Sequence, residues 1–270
     1  MIHFRTAAGP TGCGKTFVAT GFACDRVPQG AKFAFVQPTI SLCRQSHRDA
    51  QKRFPAIEDR IRTITSRRGA DDNIAHRITT YLNDRDETGD LLFVTHAGFL
   101  RTPYWHRADT WHLFVDEPME IIYRRVLRLK EHRHLILDFF HVRPSHHKGY
   151  GRLEARNGSE LDVALATVKD DEIYDHFADL IWRLRQGDWD LYVEHAEYER
   201  FRSGEAHTLE VHGLLSPSIF CSFASVTLMG ANLDASIMYK YFAKLGCTFS
   251  PHRAIHNALR YQTHGNGDAC

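Results

Sequence analysis

The sequence contains no run of about 18 apolar residues, the length a membrane-spanning helix requires, so no membrane partner is expected. It opens Met1-Ile2-His3-Phe4-Arg5, without the apolar core and small-residue cleavage site of a secretory signal. The six cysteines are scattered and form no CxxC pair. That spacing argues against a disulfide framework or a zinc site and for reduced thiols in a cytoplasmic protein. There is no internal repeat and no low-complexity linker. A net charge of +1 excludes a histone-like polycation. Charge is uneven, however: Arg124–Arg156 holds nine Lys/Arg against three Asp/Glu, and Asn157–Glu210 five against fourteen. Such a division gives either a polyanion-attracting face or two mutually neutralising surfaces.

What is present is a rhythm. Through residue 117, short apolar runs (Ile2–Ala8, Lys32–Gln37, Arg62–Thr65, Leu91–Thr95, Trp111–Asp116) alternate with amphipathic stretches at Lys15–Asp25, Ser41–Phe54 and Asp72–Asp84. Strand–helix alternation of this kind predicts an α/β fold whose central, mainly parallel sheet is covered on both faces. After Pro118 the rhythm breaks. Met119–Lys130 reads as helix, His132–Gly158 as irregular and basic, and Asp171–Gln186 as an amphipathic helix with Ile173, Phe177, Leu180, Ile181 and Leu184 on one stripe. Leu191–Glu194 and His207–His212 are expected to pair as a ribbon. An apolar strand then returns at Ala224–Met229, followed by a helix at Leu233–Leu245. The expected division is a core of 1–117 and 208–250, with 118–207 as a largely helical insertion.

Gly9-Pro10-Thr11-Gly12-Cys13-Gly14-Lys15-Thr16 satisfies G-x-x-x-x-G-K-[ST], between a strand and a helix. The glycines let successive N–H groups turn inward on phosphate oxygens, and the helix adds its positive end. Lys15 is placed to reach the β- and γ-phosphates of ATP and Thr16 to ligate Mg²⁺. Cys13 contributes only its backbone N–H. The strand Trp111–Val115 ends in Asp116-Glu117, where Asp116 would hold Mg²⁺ through water and Glu117 would orient or deprotonate the attacking water. The catalytic candidates are therefore Lys15, Asp116 and Glu117. The bland reading of Asp116-Glu117 is a cap before a helix beginning at Pro118. Eighteen histidines, five of them between His132 and His147, lack carboxylate or cysteine partners at ligand spacing and read as a solvated or polyanion-facing loop.

Beyond these two elements the order of motifs resembles that of superfamily 2 helicases. Gly9–Thr16 is similar to motif I, Gln37-Pro38-Thr39 to motif Ia, and Asp116-Glu117-Pro118-Met119 to the DEAD or DEAH box. Thr95-His96 is similar to the threonine element along the bound strand, and Gly230-Ala231-Asn232 stands where relatives carry Ser-Ala-Thr. The resemblance implies a RecA-like P-loop lobe that uses ATP and Mg²⁺. It places DNA or RNA near Pro38, Thr39, Thr95 and His96, and coupling of hydrolysis to movement at Gly230, Ala231 and Asn232. Eight residues before Gly9 leave no room for an upstream adenine-reading element, and 38 residues after Asn232 do not make a second lobe. The expectation is thus an N-terminal ATPase lobe, possibly truncated, that works with a separate second helicase lobe. A terminase-type packaging ATPase is the first alternative, although Asp234 and Asp268 are the only acids after Glu210 to build its nuclease. A non-enzymatic remnant that binds nucleic acid or a partner is the other.

Overall fold

The computed structural model describes residues 2–66, 73–84, 89–128, 133–156 and 172–261. They divide into two compact units, Met1–Met119 with Phe220–Cys270, and Glu120–Ile219.

The first unit is built on a seven-stranded sheet in the order β12-β1-β11-β5-β2-β4-β3, in which every pairing is parallel. Its strands are β1 (His3–Ala8), β2 (Lys32–Gln37), β3 (Ile61–Ile64), β4 (Leu91–Thr95), β5 (Trp111–Asp116), β11 (Ser225–Gly230) and β12 (Thr248–Pro251). All six residues of β2 are buried, as in a strand covered on both faces. The centre of the core is aromatic: Phe35 of β2 stacks on Phe114 of β5 at 4.9 Å and meets Phe93 of β4 at 5.3 Å. Burying each such ring contributes about 1.5–3 kcal/mol. Helices α1 (Lys15–Cys24), α2 (Ile40–Arg53), α3 (Ile74–Asn83) and α4 (His96–Arg101) occupy the connections, and α8 (Ile237–Lys244) and α9 (Arg253–His256) close the unit. This is the RecA-like α/β architecture. β12 was not anticipated. The stretch read as one helix at Leu233–Leu245 is a 3-10 turn, Leu233–Ala235, followed by α8, which Ser236 caps through Tyr239 N–H.

The second unit corrects the largely helical insertion. It holds a five-stranded antiparallel sheet, β6-β10-β9-β8-β7, made of β6 (Ile122–Arg128), β7 (Phe140–Pro144), β8 (Tyr150–Ala155), β9 (Trp189–Glu194) and β10 (Thr208–Leu215). Its helices are α5 (Arg133–Phe139), α6 (Glu172–Gln186) and α7 (His195–Ser203). The expected helix at Met119–Lys130 is instead β6. Its apolar residues Tyr123 and Leu127 lie four apart, a spacing that shares one face in a helix and in a strand alike. The ladder from Leu214↔Ile122 to Thr208↔Arg128 decides for the strand. The stretch expected to be irregular, His132–Gly158, contains α5 and the β7–β8 hairpin, in which Ser145 Oγ donates to the Tyr150 carbonyl across the turn. The β9–β10 pairing stands as expected, with α7 rather than a turn as the connection. β10 belongs to this unit, so the chain returns to the first unit at Phe220 rather than near 208. Of the α6 stripe, Leu180 and Ile181 are buried, while the side chains of Ile173 and Phe177 lie outside the described residues. No helix among the described residues is long and apolar enough to cross a membrane.

Candidate nucleotide site

Parallel strands bring their carboxyl ends to one edge of the sheet, where loops and helix starts gather ligand groups. Here β1, β11 and β5 lie side by side, with Ala8↔Gly230 and Met229↔Asp116 in register, so the Gly9–Thr16 loop and the Asp116-Glu117 pair emerge at the same edge. The loop turns through Gly12 (φ +83) and Gly14 (φ +91), left-handed positions that favour glycine. Lys15 is buried, and its Nζ donates to the carbonyls of Gly9 (2.8 Å) and Pro10 (3.0 Å). The ammonium is therefore folded over the cradle, held by two acceptors that phosphate oxygens can replace.

Thr16 Oγ1 donates to Asp116 Oδ2 at 2.8 Å. The two groups that would share a magnesium ion are thus in direct contact, well inside the roughly 5 Å that one hydrated ion bridges. An alcohol and a carboxylate, both oxygen donors, suit Mg²⁺, so the donor set fits the ion. Among the described residues there is no cluster of three or more His, Cys, Asp or Glu side chains arranged to hold a metal.

Two neighbours of Asp116 escaped the sequence reading as site residues or took a different part in it. Gln37, fully buried at the end of β2, donates Nε2 to Asp116 Oδ2 (3.0 Å) and to Ser46 Oγ (3.0 Å). Its position in the Gln-Pro-Thr segment was visible, but its partner lies 79 residues away on another strand. His96 donates Nε2–H to the Asp116 carbonyl at 3.0 Å, and burial holds its imidazole below the ordinary histidine range, hence neutral. It therefore braces the end of β5. Thr39 and Thr95 cap α2 and α4, accepting from Leu42 N–H (3.1 Å) and Gly98 N–H (3.0 Å). They follow neighbouring strands in which Gln37 and Thr95 are register partners, so Pro38-Thr39 and Thr95-His96 share the edge that carries the cradle.

Glu117 takes a left-handed backbone, φ +65, rare for a residue with a side chain. No helix follows at Pro118; the chain runs on through Met119 to β6. Burial pushes the Glu117 carboxyl up and adjacent Asp116 adds to this, while Lys15 and the Ala231 N–H oppose it. The Glu117 N–H donates to the Met229 carbonyl (2.9 Å). Gly230 lies against this turn: a Cβ there would stand 3.0 Å from Pro118 Cδ and 3.3 Å from Glu117 Oε2. Asn232 is also left-handed, φ +51. A third segment was not foreseen at all. Arg260 N–H donates to the Cys13 carbonyl (3.2 Å) and Tyr261 Oη to the Thr11 carbonyl (3.2 Å), so the stretch after α9 rests on the outside of the cradle.

The model of the DEAD/DEAH box helicase family matches residues 4–142, more than half of the 270-residue chain. The chain belongs to this family. Members are helicase-type ATPases that use ATP and Mg²⁺ and bind nucleic acid. In this chain the matched stretch contains the cradle, the Pro-Thr and Thr-His elements and the acidic pair, and runs into β7. No curated protein matches the chain.

Proposed function

We propose that this chain is the N-terminal ATP-binding and hydrolysis lobe of a DNA or RNA helicase or translocase. The observation that carries this reading is the 2.8 Å contact between Thr16 and Asp116, which joins the phosphate cradle to the acidic strand. In the working site Lys15 leaves the Gly9 and Pro10 carbonyls for the β- and γ-phosphates. Thr16 and Asp116 hold Mg²⁺, which supplies charge neutralisation on the phosphate oxygens. Glu117 orients a water and accepts its proton, and Gln37 and His96 keep Asp116 in place through its side chain and its carbonyl. The nucleic acid crosses the edge marked by Pro38-Thr39 and Thr95-His96, and the Gly230–Asn232 turn, packed on Glu117, links hydrolysis to movement. A facing lobe, carried on a separate chain or segment, completes the charge stabilisation of the transferring phosphoryl group.

The test is an ATPase assay with and without single- and double-stranded nucleic acid. Without its facing lobe the chain is expected to turn ATP over slowly, and Lys15→Ala to lower that rate about 10²–10³-fold, as for loss of one transition-state donor. Equal rates in the variant and the native chain would remove the enzymatic reading.

A further inference from the structure

The phosphate loop divides its carbonyls between two sides. Those of Gly9 and Pro10 meet Lys15 Nζ, at 2.8 and 3.0 Å. Those of Thr11 and Cys13 meet the segment after α9 instead, where Tyr261 Oη and the Arg260 N–H donate to them at 3.2 Å each. Leu259 seats that segment, buried in one core cluster with Ala7, Cys13 and Ile255. A Cβ at Gly9 would stand 3.2 Å from Leu259 Cδ1, and a Cβ at Gly12 would stand 3.2 Å from Tyr261 Oη. The segment therefore lies close against the loop at two glycines.

A peptide unit is planar, and none of the peptide bonds here is cis, so the C=O and N–H of each unit point in opposite directions. One unit joins the Thr11 carbonyl to the Gly12 N–H, and another joins the Cys13 carbonyl to the Gly14 N–H. Drawing both carbonyls outward to residues 259–261 turns both N–H groups to the other side, into the loop. Neither N–H donates to another group among the described residues. Both are thus left for an anion. Gly12 and Gly14 lack the Cβ that restricts backbone rotation, so these units are the ones that most need an outside hold. A unit turned the other way would present a carbonyl oxygen to a phosphate, which repels it.

We propose that residues 259–261 form a strap that fixes the phosphate loop in its binding conformation, with Tyr261 as a positioning residue acting through its hydroxyl. Tyr261 touches no reacting atom in this role; it acts through the Gly12 N–H. The inference rests on the nucleotide-site reading and deepens it, because it assigns to a distant segment the alignment of two phosphate donors. Affinity for the triphosphate, rather than for the base, then depends on a hydroxyl outside the loop. Apparent affinity falls with the fraction of molecules in the competent conformation. Loss of one such hydrogen bond should lower it about 3–10-fold.

The deciding experiment uses the full chain with Tyr261→Phe, which removes only the hydroxyl, and Tyr261→Ala, which removes the ring. Binding of a fluorescent ATP analogue with Mg²⁺ is measured, together with its displacement by inorganic tripolyphosphate, which carries no base. Tyr261→Phe is expected to weaken both ligands by the same 3–10-fold, with an unchanged urea unfolding midpoint. The KM for ATP should rise by that factor and kcat should hold, as when an interaction common to ground and transition states is lost. Tyr261→Ala should weaken tripolyphosphate no further than Tyr261→Phe does. Native tripolyphosphate affinity in Tyr261→Phe would overturn the strap and leave the nucleotide site standing. Should Tyr261→Ala alone lose affinity, and only for the ATP analogue, the ring stacks on the base and the proposal is equally overturned. A lowered unfolding midpoint with a fall in kcat at constant KM would make the contact merely structural. If the native chain binds neither ligand, the nucleotide-site reading itself fails and the strap falls with it.

Discussion

At the scale of single residues, the backbone accounts for two departures from the family pattern. Asn232 stands where the family pattern has threonine, and its φ of +51 supplies a reason. Asparagine tolerates the left-handed region, whereas a β-branched side chain there meets the neighbouring carbonyl. Asn232→Thr should therefore lower stability by about 1–2 kcal/mol, read from urea unfolding midpoints. Asn232→Gly should stay near the native value, and an unaffected threonine variant would refute the backbone argument. Gly230 is explained in the same way, since the Pro118 ring and the Glu117 carboxylate fill the space a side chain would need. Glu117 also predicts a pH dependence. Its pKa is raised, chiefly by burial, and a base acts only as the carboxylate. As pH falls through that raised pKa, turnover should drop where an exposed glutamate would still be ionised. The pH–rate profile of Glu117→Gln should lack this acid limb and lie about 10²–10⁴-fold lower, with ATP affinity retained. The residues legible from sequence were those whose chemistry fixes both type and spacing, as in Gly9–Thr16 and Asp116-Glu117. Gln37, the bracing role of His96 and the Tyr261 contact were not, because each depends on which strands or ends become neighbours.

At the scale of elements, the five strands and three helices read from the first 117 residues fall within a residue or two of their observed positions. Buried parallel strands leave near-continuous apolar runs, and no other element competes for them. The second unit was far less legible. β6 carries an apolar spacing that a helix would accept equally, and only its partner β10, about eighty residues later, settles the matter. β12 is four residues long, too short for its period to register. Helix α2 carries two stripes at once, Cys43, Ser46 and Ala50 buried toward β3 and β4, and Arg44, His47, Arg48 and Gln51 beside them. Its start rests on Thr39, whose hydroxyl accepts the Leu42 N–H. Thr39→Ala should cost about 1 kcal/mol of stability, measured by thermal unfolding, and Thr39→Ser should restore it. If the serine variant also restores nucleic-acid affinity lost in the alanine variant, the hydroxyl serves both ends.

At the scale of the molecule, strand order sets the sequence of events in assembly. The strand that carries the phosphate cradle is the first of the seven to be synthesised, yet both of its sheet neighbours are the last two. Phe4 pairs across from Phe249 on one side and Arg5 from Thr227 on the other. At roughly 5–20 residues per second, on the order of ten seconds or more of translation passes before that strand can find a partner. Until then its glycine-rich end has nothing to hold it, and nucleotide has no formed site to enter. A ligand that binds only the finished arrangement acts on the final step of folding. On the proposed function, ATP would therefore bind only once this strand has both of its neighbours.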